Sequence, residues 1–263
     1  MSGHRPSSTR SVKGWWNSKL SLGPHDVHLW RARVQDMAQS VAEFSATLSP
    51  DEHQRASSFR RAHDREAFVL RRAILRAILS QYLPLGPAEI RFRYGGFGKP
   101  YLEPGSHRPE LRFNLTHSRG LMLCAVSLGR ALGVDVERVE PMPAVDGMAA
   151  QFLSDHESRA IAALPPAARL VAFYTCWTRR EAYVKATGDG LIGAPVEFPP
   201  TGAWRVETVH PAPGYVGAVA LKGTDSRISW RDWPADRPGP SAAPQPGRSA
   251  RARPGRQGVW SGR

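Results

Sequence analysis

Apolar and polar residues alternate in several short stretches of the chain, and in longer stretches the apolar residues recur at helical spacing. Alternation predicts strands at 26–32, 89–94, 111–115, 121–127, 132–139, 204–209, 214–221 and 227–230. Helical spacing predicts one helix over 65–83, stopped by Pro84, and another over 167–187, ended by Gly188. The apolar positions of the first helix are Phe68, Leu70, Ile74, Ala77, Ile78 and Leu83.

Capping and turn signals complete this outline. Ser49 with Glu52, and Ser154 with Glu157, have the spacing of capping boxes, which predicts that helices begin there, the second running through Ala163. Residues 95–98 form a glycine-rich turn, and residues 128–131 favour a hairpin between the strands on either side. Because helices and strands mix without a strict βαβ rhythm, we predict an α+β fold.

The two ends of the chain differ from its middle. Residues 1–25 and 232–263 lack apolar periodicity, and the second stretch mixes Pro, Gly, Ser and Arg, so we predict disorder there and a folded body at 26–231. The net charge is +13, of which residues 1–26 carry +3 and residues 231–263 carry +5. Only a modestly basic body remains.

Neither a membrane nor a disulfide is indicated. The basic start of the chain is not followed by an apolar run of signal-peptide type, so the expected location is cytoplasmic. Cys124 and Cys176 stand in apolar surroundings without metal-ligand spacing, which predicts buried, reduced thiols.

The stretch 133–137 reads GVDVE. On a strand, Asp135 and Glu137 project from one face while Val134 and Val136 face the core. Two adjacent carboxylates suit Mg²⁺, which takes one or two such ligands together with water and phosphate oxygens. The simpler alternative is an exposed acidic strand face.

Three further clusters carry candidate chemistry. Glu181 and Lys185 stand at i and i+4 on the second helix, with Trp177 one turn earlier; a surface ion pair and a core Trp are the simpler alternatives. Residues 114–118, reading NLTHS, form a polar break after a strand that can face a phosphate. Gly98-Lys99-Pro100 places a cation on a short turn, and any exposed loop can carry one.

Taken in order, GKPYL at 98–102, FNLTHS at 113–118, GVDVE at 133–137 and WTRREAYVKATGDGL at 177–191 resemble the 4′-phosphopantetheinyl transferase superfamily, in its larger surfactin-type (Sfp-like) class. The resemblance implies a monomer of two similar α+β halves, here 26–115 and 116–231, with coenzyme A between them. The second half would hold the metal site.

The resemblance also assigns roles to residues. The metal ligands would be Asp135, Glu137 and Glu181, binding Mg²⁺ or Mn²⁺. The residues along the nucleotide and its 3′-phosphate would be Arg55, Arg72, Lys99, Pro100, Thr116 and His117. Glu52 stands where related proteins lead us to expect a second cation.

The implied reaction moves the phosphopantetheine arm of coenzyme A to a serine of an apo acyl or peptidyl carrier protein, releasing adenosine 3′,5′-bisphosphate. Asp135, Glu181 and Lys185 would be catalytic: Lys185 would approach the pyrophosphate, and Glu181 would be the general base, a metal ligand or both. The expected partner is a carrier protein with an acidic surface. Fatty-acid, polyketide, nonribosomal-peptide and lysine-pathway carriers all stay open, and the length of the chain favours secondary metabolism or broad specificity.

Three other functions compete with this hypothesis. A nucleic-acid-binding module would use the Arg-rich end and exposed Trp residues, and its binding would disappear when 231–263 is removed. A metal-dependent nuclease or phosphatase would use the three carboxylates without coenzyme A. A family member that binds coenzyme A without transferring its arm would not need Asp135, Glu137, Glu181 and Lys185, all of which are present.

Overall fold

The computed structural model describes residues 19–96, 98–104, 110–188, 198 and 202–233. The strands are β1 (Asp26–Arg33), β2 (Phe92–Tyr94), β3 (Pro100–Leu102), β4 (Leu111–Ser118), β5 (Leu121–Leu128), β6 (Leu132–Arg138), β7 (Trp204–Val209), β8 (Tyr215–Lys222) and β9 (Arg227–Trp233). The helices are α1 (Val41–Ser45), α2 (Pro50–Ser57), α3 (Ala62–Ser80), α4 (Val145–Phe152), α5 (Asp155–Ala162) and α6 (Pro166–Thr187), with 3₁₀ turns at Val34–Ser40 and Pro87–Glu89. The α+β prediction is confirmed.

Two main sheets stack in the middle of the molecule. The first has the strand order β4-β5-β1-β9, with β1 and β9 parallel, and the second has the order β6-β8-β7; β2 and β3 form a separate pair. Alternate residues of β1 divide the first sheet into two faces. Trp30 and Ala32 pack with the apolar side of α3, whereas Val27 and Leu29 pack with Val134 of the second sheet.

Each long helix covers the outer face of one sheet. Helix α3 buries five of its six predicted apolar positions against the first sheet, and the sixth, Leu83, is buried in the same core just after the helix ends. Helix α6 contacts the second sheet through Ala182 and Ala186, which meet Ala218 and Ala220 of β8. Because these side chains are small, the helix approaches the strands closely. The layers therefore run α3, first sheet, second sheet, α6.

Most of the predicted elements are present, with shifted ends. Helix α3 begins and ends three residues before the predicted range of 65–83, and β2 is shorter than 89–94 because Pro87–Glu89 forms a 3₁₀ turn. Both capping boxes are confirmed, and Gly188 ends α6 with φ of 84°. Helices α1 and α4 were not predicted.

Two predictions about local structure were wrong. Residues 128–131 do not form a hairpin, because β5 already pairs with β4 and β1 while β6 pairs with β8 in the other sheet. Residues 114–118 are no break, since all of them belong to β4 and pair with β5. The polar residues there follow the alternation of a strand whose two faces meet different surroundings.

The ordered body exceeds the predicted range of 26–231 at both ends. Lys19 donates through Nζ to the carbonyls of Ser80 and Leu83, at 2.8 and 2.7 Å, and Leu20 packs on the first core. At the other end, Trp233 of β9 is buried against Trp30. Residues 1–18 and 234–263, which include most of the predicted disorder, lie outside the described residues.

The predicted division between residues 115 and 116 falls inside β4, and β9 from the second predicted half joins the first sheet. Cys124 is buried and Cys176 is partly buried, and both thiols are free. Among the described residues, the structure contains no helix that is both long and apolar enough to cross a bilayer.

Candidate functional site

A groove of about 830 Å³ opens between α2 and α3 on one side and β6 and α6 on the other. It collects every site residue that the sequence predicted: Arg55, Arg72, Lys99, Pro100, Thr116, His117, Asp135, Glu137, Glu181 and Lys185. These residues come from six elements and one turn, so the folded chain assembles the groove from distant segments.

The acidic side of the groove, here called the acidic wall, consists of Asp135, Glu137 and Glu181. Strand alternation turns both β6 carboxylates away from the core that contains Val134 and Val136, as predicted. Asp135 is nevertheless only 3% exposed. Its carboxylate therefore lies at the bottom of the groove and not on an open strand face.

Gly133 brings the helix to this strand. A Cβ atom at position 133 would lie 2.1 Å from the carbonyl oxygen of Ala182, so only glycine permits the observed approach of α6 to β6. The close contact places Glu181 and Lys185 over the β6 carboxylates. The first residue of the GVDVE motif thus has a packing role that supports the chemistry of the others.

Lys185 is the cation of the acidic wall. Its Nζ lies 2.6 Å from Asp135 Oδ1 and 3.4 Å from Thr116 Oγ1, and the Thr116 hydroxyl donates to Asp135 Oδ1 at 3.0 Å. The simpler alternative of a surface pair between Glu181 and Lys185 is not formed within the described part of the chain. Lys185 instead joins α6 to β6.

Burial raises the pKa of all three carboxyl groups. For Asp135 the raising effect of burial is opposed by Lys185 and Thr116. For Glu137 burial is opposed by the hydrogen bond from Ser118. For Glu181 burial is opposed by Lys185 and reinforced by the negative charges of Asp135 and Glu137. Removing the protons from all three groups leaves excess negative charge that an added cation would neutralise.

Two buried oxygens of the acidic wall have no hydrogen-bond partner among the described residues, namely Asp135 Oδ2 and Glu181 Oε1. Buried carboxylate oxygens without donors are costly unless a cation or water satisfies them. Carboxylate oxygens without donors are the ligands that a hard divalent cation prefers. Within the described residues, however, no three acidic, His or Cys side chains are close enough to hold a metal ion as they stand. The cation beside Asp135 in this structure is the Lys185 ammonium.

The opposite side, here called the basic wall, consists of Arg55, Arg71 and Arg72. The Arg72 guanidinium lies 5.5 Å from the centroid of the Phe68 ring and 5.3 Å from that of Tyr94, and its Nε is 3.8 Å from Glu52 Oε1. Aromatic rings and one carboxylate hold the guanidinium in place. The basic wall thus presents fixed positive charge to the groove.

Glu52 has a structural role. It is 1% exposed, and its Oε2 accepts from Arg76 Nε at 2.7 Å and from the Ser49 backbone N–H at 3.1 Å. Where the resemblance led us to expect a second cation, the chain therefore has a buried anion that balances Arg76 and lies near Arg72.

Lys99 and His117 lie between the two walls. Burial, with the charges of Arg112 and Lys185, lowers the pKa of Lys99 to about 8, and its Nζ donates to the Lys185 carbonyl. His117 opens to the groove, yet the protein around its ring, together with Arg71 and Lys185, lowers its pKa to about 4. The imidazole is therefore neutral at neutral pH.

Sequence reasoning missed some of the groove. Arg71 lines it beside Arg72, and the pair of arginines in LRRAILR was the available signal. Trp177 also lines it, although a core role was the simpler alternative. Asn114 and Ser118 were noted only as members of the NLTHS stretch, yet both bond to β6.

Known proteins match this chain over most of the described body. The family model of the 4′-phosphopantetheinyl transferase superfamily matches residues 131–242, and the model of the N-terminal part of 4′-phosphopantetheinyl transferase matches residues 29–128. The 4′-phosphopantetheinyl transferase HetI of a Nostoc species is 35% identical over 215 residues, which cover 78% of this chain and 91% of the relative.

Other relatives match a smaller part. A putative 4′-phosphopantetheinyl transferase of a Synechocystis species is 33% identical over 153 residues, covering 58% of this chain and 62% of the relative. The 4′-phosphopantetheinyl transferase Sfp of Bacillus subtilis is 26% identical over 148 residues, covering 56% of this chain and 63% of the relative. Both aligned regions span less than two thirds of those relatives.

Proposed function

Because this chain belongs to the 4′-phosphopantetheinyl transferase superfamily, we propose that the groove between the acidic and basic walls is its active site. As a phosphopantetheinyl transferase, it moves the phosphopantetheine arm of coenzyme A to a carrier-protein serine. The observation that carries the proposal is the convergence of Asp135, Glu137, Glu181 and Lys185 in one groove, opposite three arginines.

Coenzyme A would lie along the groove with its nucleotide toward the basic wall. Charge supports this orientation, since Arg55, Arg71 and Arg72 match the anionic 3′-phosphate. Lys99, Pro100, Thr116 and His117 would line the rest of the nucleotide, and neutral His117 would donate or accept a hydrogen bond without adding charge. The pyrophosphate would then reach Lys185.

Asp135, Glu137 and Glu181 would hold Mg²⁺ or Mn²⁺. Their raised pKa values and the two buried oxygens without partners support this assignment. When bound, the ion would supply Lewis-acid polarisation of the pyrophosphate oxygens. The choice between the two metals stays a prediction.

In the transfer step, the serine oxygen forms a bond to the phosphorus that carries the pantetheine arm. The bond from that phosphorus to the leaving phosphate breaks, and adenosine 3′,5′-bisphosphate departs with the electron pair. The Lys185 ammonium would neutralise charge on the leaving group. Glu181 would accept the serine proton, and burial, which raises its pKa, makes it a stronger base than an exposed carboxylate.

The subtype and the partner are finer proposals. We infer a holo-[acyl-carrier-protein] synthase activity toward an acyl or peptidyl carrier protein with an acidic surface, because the body of the chain is modestly basic. Catalytic efficiency should then fall with added salt. We further propose a monomer of two similar halves, supported by the two long helices that each cover one sheet. The cytoplasmic location stays a prediction.

The decisive experiment is intact mass spectrometry of purified apo carrier proteins, incubated with this protein, coenzyme A and Mg²⁺, beside samples without metal. A metal-dependent gain of one phosphopantetheine arm, with release of adenosine 3′,5′-bisphosphate, supports the proposal. No gain on fatty-acid and peptide-synthetase carriers, from protein shown to be folded, contradicts it. In that case, nucleic-acid binding that is lost on removing 231–263 would favour the alternative that the protein is a nucleic-acid-binding module.

A further inference from the structure

Strands β4 and β6 belong to different sheets but are joined by side chains of β4. Asn114 Oδ1 accepts from the backbone N–H of Val134 at 2.8 Å. Ser118 Oγ accepts from the backbone N–H of Arg138 at 3.1 Å and donates to Glu137 Oε2 at 2.8 Å. Asn114 and Ser118 are four residues apart on one strand, so both face β6.

The need for these acceptors follows from the sheet order. Strand β6 is the edge of its sheet and pairs only with β8 among the described strands. The backbone groups of odd-numbered residues along β6 face β8. At the two ends of the strand, the Lys222 N–H donates to the Ala131 carbonyl and the Val139 N–H donates to the Gly214 carbonyl. Antiparallel pairing alternates, so the N–H groups of Val134 and Arg138 point the other way, toward β4.

Because β6 has no strand partner on that side among the described strands, those two N–H groups would be unsatisfied beside the groove if Asn114 and Ser118 did not accept from them. Asn114 is 4% exposed, which makes water a poor substitute for its carbonyl oxygen. The two bonds flank the segment that carries Asp135 and Glu137. They therefore fix the position and orientation of that segment relative to the first sheet. Thr116 of the same sheet adds a hydrogen bond to the Asp135 carboxylate.

We propose that Asn114 and Ser118 are positioning residues, which hold the β6 edge against β4 so that Asp135 and Glu137 face the groove in a fixed orientation. The inference rests on the proposed function of those carboxylates. Ser118 has the more direct effect, because its hydroxyl fixes one oxygen of Glu137 and leaves the other for the groove. Outer hydrogen bonds of this kind orient metal-binding carboxylates in many proteins.

The test compares full-length Ser118→Ala and Ser118→Thr with a matched control, Ser127→Ala. Ser127 of β5 likewise donates its hydroxyl to one acceptor, the Arg130 carbonyl at 3.0 Å. Neither Ser127 nor Arg130 lines the groove, whereas Ser118 bonds to Glu137, which does. Two quantities are measured: the Mg²⁺ concentration for half-maximal transfer to an apo carrier, and hydrogen exchange of the amides at 134–138.

In Ser118→Ala, we expect the Mg²⁺ requirement to rise about tenfold or more. Exchange at the Arg138 amide should become faster, while KM for coenzyme A changes less than about threefold because the basic wall is intact. Ser118→Thr, which keeps the hydroxyl, should restore both quantities, and Ser127→Ala should alter neither. If Ser118→Ala does not fold, Ser118→Cys provides the comparison, since a thiol is a weaker donor and acceptor.

An unchanged Mg²⁺ requirement in Ser118→Ala overturns the inference, and so does a change of equal size in Ser127→Ala. Failure of the proposed function has a different signature, because the wild-type protein would then transfer nothing. Exchange at Arg138 that is unaffected by Ser118→Ala would also overturn the inference, and this readout does not depend on transfer.

Discussion

The acidic wall is built from a strand edge and a helix that meet at a glycine, whereas the basic wall is built from side chains of two helices supported by aromatic rings. In the acidic wall, Asp135 is buried, hydrogen-bonded and paired with Lys185. In the basic wall, the Arg72 guanidinium packs on the rings of Phe68 and Tyr94. One wall keeps anions close together, and the other lines the groove with cations, of which Arg72 is held between aromatic rings.

This difference indicates how the walls divide the work. Anions that are buried side by side with raised pKa values are suited to bind a cation and to exchange protons. Guanidinium groups stay charged at any accessible pH and are suited to hold phosphate. Changes in the acidic wall should therefore reduce turnover, and changes in the basic wall should weaken the binding of coenzyme A.

The sharpest test of the division removes the central carboxylate. Asp135→Ala should lower turnover by about 10³-fold or more at every Mg²⁺ concentration, because several kcal/mol of transition-state stabilisation depend on the metal site. Initial rates over a Mg²⁺ series measure this. Glu140→Ala is the control, since Glu140 pairs with Arg119 at the surface. Activity of Asp135→Ala within about threefold of wild type would exclude its role.

A second change alters the acidic wall without touching a charge. Gly133→Ala places a methyl group against the Ala182 carbonyl and should push α6 from β6, lowering kcat by about 10²-fold, as expected for a misplacement of about 1 Å. Gly147→Ala is the matched control, because its Cβ would meet only Ala144, at 3.8 Å. If circular dichroism shows a folded Gly133→Ala variant with wild-type kcat, the close approach is not needed for catalysis.

At the basic wall, Arg72→Ala should raise KM for coenzyme A about tenfold with a smaller change in kcat, because a charge-assisted bond to phosphate is lost. With 3′-dephospho-coenzyme A as the substrate, the variant and the wild type should differ little. Arg65→Ala is the control, on the same helix but outside the groove. An equal loss with both substrates would show that Arg72 does not contact the 3′-phosphate.

The smallest expected effect concerns Lys99, between the walls. Its pKa of about 8 means that it is charged below that pH and neutral above it, so kcat/KM for coenzyme A should fall several-fold as pH rises past about 8. Lys99→Arg keeps its charge and should remove that fall. Lys222→Arg, at an exposed position outside the groove, should leave it in place. A fall that persists unchanged in Lys99→Arg would assign the titration to another group.

The strength of local signals decided which elements were predictable. Helix α6 and its C-terminal Gly188 follow from spacing and backbone conformation within one segment. The predicted hairpin at 128–131 was wrong because β5 found both of its partners elsewhere in the chain. The NLTHS stretch was mistaken for a break because its alternation of polar and apolar residues serves two different environments, α3 on one side and β6 on the other.

By itself, the sequence determined that Asp135 and Glu137 share one strand face, that Glu181 and Lys185 share one helix face, and that the family motifs occur in order. Only the tertiary structure decided that Lys185 pairs with Asp135, that Glu52 is buried with Arg76, and that Arg71 and Ser118 belong to the site. The physical reason is that periodicity fixes the face on which a side chain lies. Which surface meets that face depends on contacts between segments far apart in the chain.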